Sequence, residues 1–325
     1  MSETISLYKK LLFTYPQESQ DFKTYAIVDS IRDERIKEKM LFTELNYLDL
    51  WDEELFENEQ KVPLFLIELK AEDALCDWLL KNHNKNASIY FQSQDTLERL
   101  QDYYSKYTFP YVQMKAKGYE DTPRGIFGFY DPKVLPDFMQ SLYTQEKREH
   151  FFAGITLLFC PDIDKRDLCH IYYTKEGQTA YRSYTLEEST RAPALKSITI
   201  PTGDTLAHTQ IPTIDEKQIE IFERLNHEHF VKEVLQEIET SLSDKEIKKI
   251  LPSILEKSYY AKEHLGIDSQ ANMARFVQLS TQLSKPIESY AQSTEFKALQ
   301  NATEQSEKRE ILQALMQKLN LKEVA

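Results

Sequence analysis

The sequence predicts an α/β fold, a mixed or largely parallel sheet flanked by helices, followed by a C-terminal all-helical domain. Three observations predict it. Apolar strand-like runs alternate with helical patterns through the first half of the chain, the order that builds a sheet covered on both faces. Those runs are nearly continuous rather than alternating, as strands buried on both sides are. After Pro212 every segment has helical spacing and short links, as in a small bundle. The divisions expected are 1–165 for the α/β domain, 166–214 for a β-rich connector or hairpin appendix, and 215–325 for the helical bundle.

Residues 1–22 read as a short helix or arm with Leu7, Leu11 and Leu12 on one face. Tyr25–Asp29 is a compact apolar strand ending in an acid, and helical sequence follows from Ile31 to Phe42. Asn46–Leu55 is acidic and aromatic, a strand plus loop. Val62–Leu69 is a second strong strand, with Pro63 near its start, where a missing donor is tolerated. Asp73–Lys81 is a short helix carrying Leu75, Trp78 and Leu79, and Ala87–Phe91 is a third strand. Thr96–Tyr107 is a helix with Leu97, Leu100 and Tyr104 on one face, and Tyr111–Met114 is a fourth strand.

The stretch from Arg124 to Leu142 organises the rest and reads as strand, sharp turn and helix. Ile126, Phe127, Phe129 and Tyr130 are bulky and β-favouring. Asp131 is placed to N-cap a helix, and Pro132 to occupy its first position, where a fixed φ fits and no N–H is missed. Val134, Leu135, Phe138, Met139 and Leu142 recur at helical spacing. A helix from Tyr143 to Phe152 leads into a sixth strand, Gly154–Phe159. Between Pro161 and Pro212, short β-like pieces stand at His170–Thr174, Ala180–Thr185 and Ser197–Ile200.

In the tail, Asp215–Leu242 is one long amphipathic helix with Ile219, Phe222, Leu225, Phe230, Val234 and Leu235 as its stripe. Ser243 caps the next, which passes Pro252 and stops at Gly266. Asp268 caps a third, and a last helix runs from Ser306 to Leu319.

Composition excludes several classes. The 325 residues carry a formal charge of −13, which argues against a nucleic-acid partner, since phosphates want a basic footprint. From residue 216 onward there are 18 acidic and 15 basic side chains, a balance of −3; the first 215 residues hold 35 and 25, a balance of −10. Only 7 glycines argue against glycine-rich phosphate loops. Three cysteines, Cys76, Cys160 and Cys169, make no disulfide framework and fit a reducing compartment. The N-terminus lacks a basic start and apolar run, and no apolar stretch reaches the roughly 18 residues of a membrane span. The expected location is cytoplasmic.

No sequence motif marks an enzyme. There is no Gly-x-Ser-x-Gly elbow, His-Glu-x-x-His, phosphate loop or Rossmann glycine set. Asp29 at a strand end suggests a catalytic or metal role, because such acids face ligand crevices in α/β folds. The favoured reading is a cap for the segment after Ser30, and Asp131 before Pro132 reads the same way. His227 and His229 are two apart on a helix and diverge, the wrong spacing for a zinc pair. Cys160 with Cys169-His170 is a weak metal candidate against ordinary buried cysteine. No cofactor is expected.

The ordered segments Tyr25–Asp33, Val62–Leu69, Leu75–Leu80 and Phe129–Leu135 resemble the domain of unknown function 4123, found in effector-adaptor chaperones of bacterial type VI secretion. The strand from Gly154 to Asp162 resembles the end of that domain, so the likeness covers 23–162; Gly266–Val277 is similar to the helical tail that often follows. It singles out Asp29, Arg32, Trp78, Phe129, Tyr130, Asp131 and Pro132 as structural or partner-binding positions. One departure is Gly128, where the family usually has arginine before Phe-Tyr-Asp-Pro. If that arginine pairs with an acid such as Asp29, this chain must satisfy the acid otherwise, through Arg124 or Arg32.

The resemblance implies a non-enzymatic protein that binds a toxic effector in the cytoplasm and delivers it to the VgrG spike. The two halves differ in charge and texture, which suggests that the tail holds the effector and the front domain meets the spike or its extension, with the reverse assignment as the alternative. The alternatives are an immunity protein that masks a toxin, and a hydrolase with Asp29 and Asp131 as paired acids. Whether these carboxylates converge in an open crevice or serve as caps separates the last reading from the others.

Overall fold

The computed structural model describes residues 3–14, 22–50, 64–85, 87–108, 110–112, 127–162, 168–175, 178–185, 212–238, 243–283, 287–290, 293–319 and 321. The chain divides into two compact units, Met1–Phe222 and Glu223–Ala325.

The first unit is built on a seven-stranded sheet of β1 (Lys23–Asp29), β2 (Tyr47–Asp49), β3 (Leu64–Leu69), β4 (Ser88–Ser93), β6 (Ile155–Pro161), β7 (Leu168–Lys175) and β8 (Gln178–Thr185). A separate two-residue strand, β5 (Tyr111–Val112), pairs in parallel with β9 (Thr213–Ile214). In the large sheet the order is β2-β3-β1-β4-β6-β7-β8, and every neighbouring pair is antiparallel. The expected mixed or largely parallel sheet is therefore corrected. Continuous apolar strands report burial on both faces, and helices on both faces produce that burial whichever way the strands run. Direction is set by pairing: β1 lies between β3 and β4 and runs against both, and β6, β7 and β8 form a meander.

Helices α1 (Glu3–Thr14), α2 (Arg35–Met40) and α3 (Ala74–Lys81) supply one apolar layer, in which Tyr8, Leu11, Ile36, Leu75 and Leu79 meet Ala26 and Val28 of β1. Helices α4 (Leu97–Thr108), α5 (Leu135–Ser141) and α6 (Gln145–Phe151) supply the other, where Leu100, Tyr104, Leu135, Phe138 and Phe151 meet Tyr25 and Ile27. The two-residue alternation of β1 thus divides its side chains between two cores. Each large side chain so buried contributes about 1.5–3 kcal/mol.

The stretch before α5 differs from expectation. Phe127 and Gly128 are irregular and Phe129–Tyr130 form a turn, so no fifth strand runs there; Ile126 and Arg124 lie outside the described residues. The aromatic side chains are buried by packing instead. Phe127 N–H donates to the Thr108 carbonyl at 2.9 Å, and Phe129 is fully buried among Tyr104, Tyr107, Phe138 and Phe151. Bulky aromatics favour a half-buried surface, and a turn under a helix provides one as well as a strand does. Met114 and Ser197–Ile200, also expected in strands, lie outside the described residues.

The second unit takes most of α7 (Glu216–Ile238), then α8 (Asp244–Leu265), α9 (Gln270–Thr281), α10 (Thr294–Asn301) and α11 (Gln305–Lys318). Ser243 and Glu246 form a reciprocal capping box, and Gly266 closes α8 at φ +60°. Helix α9 is capped by Ser269, one residue after the expected Asp268. Helix α10, capped by Ser293, has no counterpart in the sequence reading; its eight residues are too few to show a clear apolar period. No helix among the described residues is long and apolar enough to cross a membrane.

Candidate functional site

The carboxyl end of β1 and the turn before α5 meet at Arg32. Its Nη2 donates to Asp131 Oδ2 at 2.6 Å, and its Nε lies 3.8 Å from Asp29 Oδ2. Each acid uses its other oxygen locally: Asp29 Oδ1 accepts the Ile31 N–H, and Asp131 Oδ1 accepts the Lys133 N–H, both at 2.8 Å. Both residues are buried, while the Arg32 side chain is about half exposed, at 47%. Burial raises the Asp29 carboxyl above its ordinary value, opposed by the Ile31 N–H and by Arg32. Tyr130 is buried beside them, and burial followed by the two carboxylates pushes its phenol up to about 12.

Asp131 does not cap α5 as a standard N-cap. Its carbonyl accepts from both Val134 and Leu135, so a turn precedes the helix, which starts at Leu135. Pro132 sits inside that turn, and the buried Cys160 thiol points at its carbonyl at 3.6 Å. The structure thus brings Asp29, Arg32, Tyr130, Asp131 and Pro132 together, with Phe129 directly beneath as a core ring. Trp78 is elsewhere, on α3 in the opposite apolar layer, with the Arg35 guanidinium 5.4 Å from its ring centroid. Gly128 has nothing within 4 Å of where a Cβ would stand, so the position admits a side chain; Arg32 is the cation that lies beside both acids.

The metal candidates do not assemble. Cys160 and Cys169 are buried thiols, and His170 bonds to Asp162 at 3.1 Å and to the Tyr181 hydroxyl at 2.9 Å. Among the described residues no group of three or more His, Cys, Asp or Glu side chains is arranged to hold a metal. His227 Nε2 lies 2.8 Å from Ser258 Oγ, while His229 is exposed.

A second feature carries no motif in the sequence. A cleft of about 390 Å³ in the first unit is lined by Tyr107, Phe127, Phe138, Tyr143, Lys147 and Gln218, among others. Tyr143 donates to Asp215 at 2.8 Å, and Lys147 reaches Asp215 at 3.1 Å and Gln218 at 2.7 Å. Burial opposes ionisation of Asp215, but the Gln218 N–H, Tyr143 and Lys147 hold its carboxyl below the usual range. The available signal was the spacing of Asp215 and Gln218, an acid and an amide three apart at a helix start, which resembles a capping box.

Residues 24–149 match the family model described as Domain of unknown function (DUF4123). The match runs from β1 into α6 and includes all seven positions singled out above, while β6, β7, β8 and the helical unit lie beyond it. No curated protein and no solved structure matches the chain.

Proposed function

We propose that this chain is a non-enzymatic adaptor of bacterial type VI secretion, which binds an effector protein in the cytoplasm and loads it onto the VgrG spike. The observation that carries the reading is the domain match over residues 24–149, the same span whose ordered motifs resemble the adaptor chaperones. The arrangement around Arg32 is consistent with it. A general base needs a carboxylate with a free oxygen facing substrate. Asp29 and Asp131 each hold a backbone N–H with one oxygen and face Arg32 with the other, which favours a structural role over acid–base chemistry.

An adaptor needs two surfaces and an affinity low enough to release its cargo. The helical unit is assigned the effector and the acidic front unit the spike. The helical unit is nearly neutral and has a less closed core: Ile250, Leu251, Leu255, Ile311 and Leu315 are only partly buried against it. Half-buried apolar side chains at helical spacing suit a partner's apolar segment.

The test is affinity co-purification of the tagged full-length chain from its native cytoplasm, with mass spectrometry of what is recovered. A toxin-like protein together with a VgrG protein is the expected result. A toxin recovered without the spike, and inhibited by the chain, would replace the adaptor with an immunity protein; recovery of neither would remove the reading. Cross-linking within the recovered complex is expected to place the effector on residues 223–325.

A further inference from the structure

The two edges of the seven-stranded sheet are built differently. At one edge β2 has only three residues, and the Asp49 carbonyl accepts a hydrogen bond from the Gln101 side chain of α4 at 2.7 Å. A short, partly capped edge is one of the ways proteins prevent further strands from adding. At the other edge β8 runs for eight residues, Gln178-Thr-Ala-Tyr-Arg-Ser-Tyr-Thr185, paired among the described residues with β7 alone. It holds no proline, no glycine and a single charge, Arg182, and so lacks the usual sequence devices against strand addition.

The geometry points to β8 as a homodimer interface, in which a second copy of this chain adds its own β8 antiparallel and continues the sheet across a two-fold axis. Three features favour a second copy as the occupant. A two-fold axis normal to the sheet makes the new pair antiparallel, the direction of every other pair in this sheet. In an antiparallel pair, directly opposed residues either both exchange hydrogen bonds or both do not. Two identical strands can therefore meet only with the axis through a residue. An axis through Tyr181 sets Tyr181 opposite Tyr181, Ala180 opposite Arg182 and Thr179 opposite Ser183, and aligns residues 178–184 of each strand. This register puts the one charged residue opposite alanine and an aromatic pair at the centre, a favourable cross-strand combination. Tyr181 is already presented for it: the side chain is half exposed, stacked on Tyr172 with centroids 4.8 Å apart and hydrogen-bonded to His170. The inference does not depend on the adaptor reading.

Sedimentation equilibrium of the full-length chain across roughly 1–100 μM, the range suited to an interface of this modest size, is expected to show a reversible dimer. Tyr181→Arg sets like charges opposite each other and is expected to weaken association roughly tenfold while the circular dichroism of the monomer is unchanged. Tyr181→Cys gives an independent reading. The paired Cα atoms would lie about 4.5–5.5 Å apart, within disulfide range, so mild oxidation is expected to link two chains. The native cysteines are all buried, and Phe42→Cys, at a position 82% exposed away from β8, is the control for random collision. A chain that stays monomeric throughout, a dimer unaffected by Tyr181→Arg, or cross-linking no faster at Tyr181→Cys than at Phe42→Cys would each overturn the proposal.

Discussion

In the sheet-bearing unit the buried charged side chains are all carboxylates, Asp29, Asp33, Asp131 and Asp137; in the helical unit they are both ammonium groups, Lys257 and Lys308, among the described residues. The difference follows from which backbone groups each unit leaves unpaired. Turns and helix starts present N–H groups, and Asp29, Asp33 and Asp131 each accept one from the residue two places on. Helix ends present carbonyls. Lys308 donates to Leu265 at the end of α8 and to Leu299 and Ala302 at the end of α10, at 2.6, 2.9 and 2.5 Å. Lys257 does the same for Ser280 in the last turn of α9 and Leu283 just beyond it, at 3.1 and 2.6 Å. Helix polarity favours both choices. A buried charge in this protein therefore mainly satisfies backbone, and its sign shows which end of an element it serves.

Lys308→Met is the strongest way to break the comparison. It keeps an unbranched side chain of similar length but leaves three carbonyls without their donor. With about 1–3 kcal/mol for each buried polar group left unsatisfied, the helical unit is expected to lose at least about 3 kcal/mol. Amide exchange by mass spectrometry checks this: protection should fall across 223–325 and stay unchanged in β1, β3 and β4. If protection in the helical unit is unaltered, the lysine is not the clamp inferred here.

Arg32→Ala is the corresponding change in the front unit. It leaves Asp29 and Asp131 without their shared cation, and because Arg32 is half exposed the expected loss is smaller, about 2 kcal/mol in urea unfolding. Gly128→Arg in the same chain should recover part of that loss, since the position has room for a side chain and lies next to the turn. No recovery would mean that the acids can be neutralised only from position 32.

The sequence made some of this organisation legible. Apolar runs located β1, β3, β4 and β6, because continuous burial leaves a compositional trace. Ser243 and Gly266 marked the ends of α8, because a cap must sit next to the backbone it serves. Arg32 could be named as a partner for Asp29 because it is three residues away. The pairing with Asp131 spans 99 positions and is created by the fold. Strand direction is not legible there, because two-faced burial is indifferent to it. Lys257 and Lys308 look like any surface lysine in sequence; their only hint was the nearby helix ends, which in a charge-rich tail single out no particular residue.

Ser243→Ala tests a local cap without a buried charge. It removes the hydroxyl that receives the Glu246 N–H and breaks the box with the Glu246 carboxylate. The expected cost is about 1 kcal/mol, confined to the first turns of α8. Equal destabilisation by Ser243→Ala and Lys308→Met would remove the distinction between exposed caps and buried clamps.

The smallest effects are those of pH, and His227 in the helical unit and Asp29 in the front unit should contribute with opposite sign. Burial, with Lys262 adding to it, lowers the pKa of His227 below 6.5, so the unfolded chain takes up protons there more readily than the folded one. The contribution of His227 is present above pH 6.5 and is lost as pH falls through its lowered folded value. Asp29 is raised above 3.8 by burial, so the folded form holds its proton longer. Its contribution is greatest below 3.8 and declines as pH rises through the raised value. On acidification His227 should therefore add a destabilising slope in the helical unit, and Asp29 a stabilising one in the front unit, where the lowered Asp33 and Asp215 act against it. His227→Gln should flatten the first slope and Asp29→Asn the second, each without affecting the other. A single slope shared by both units, or one abolished by either substitution, would show that the units do not titrate independently.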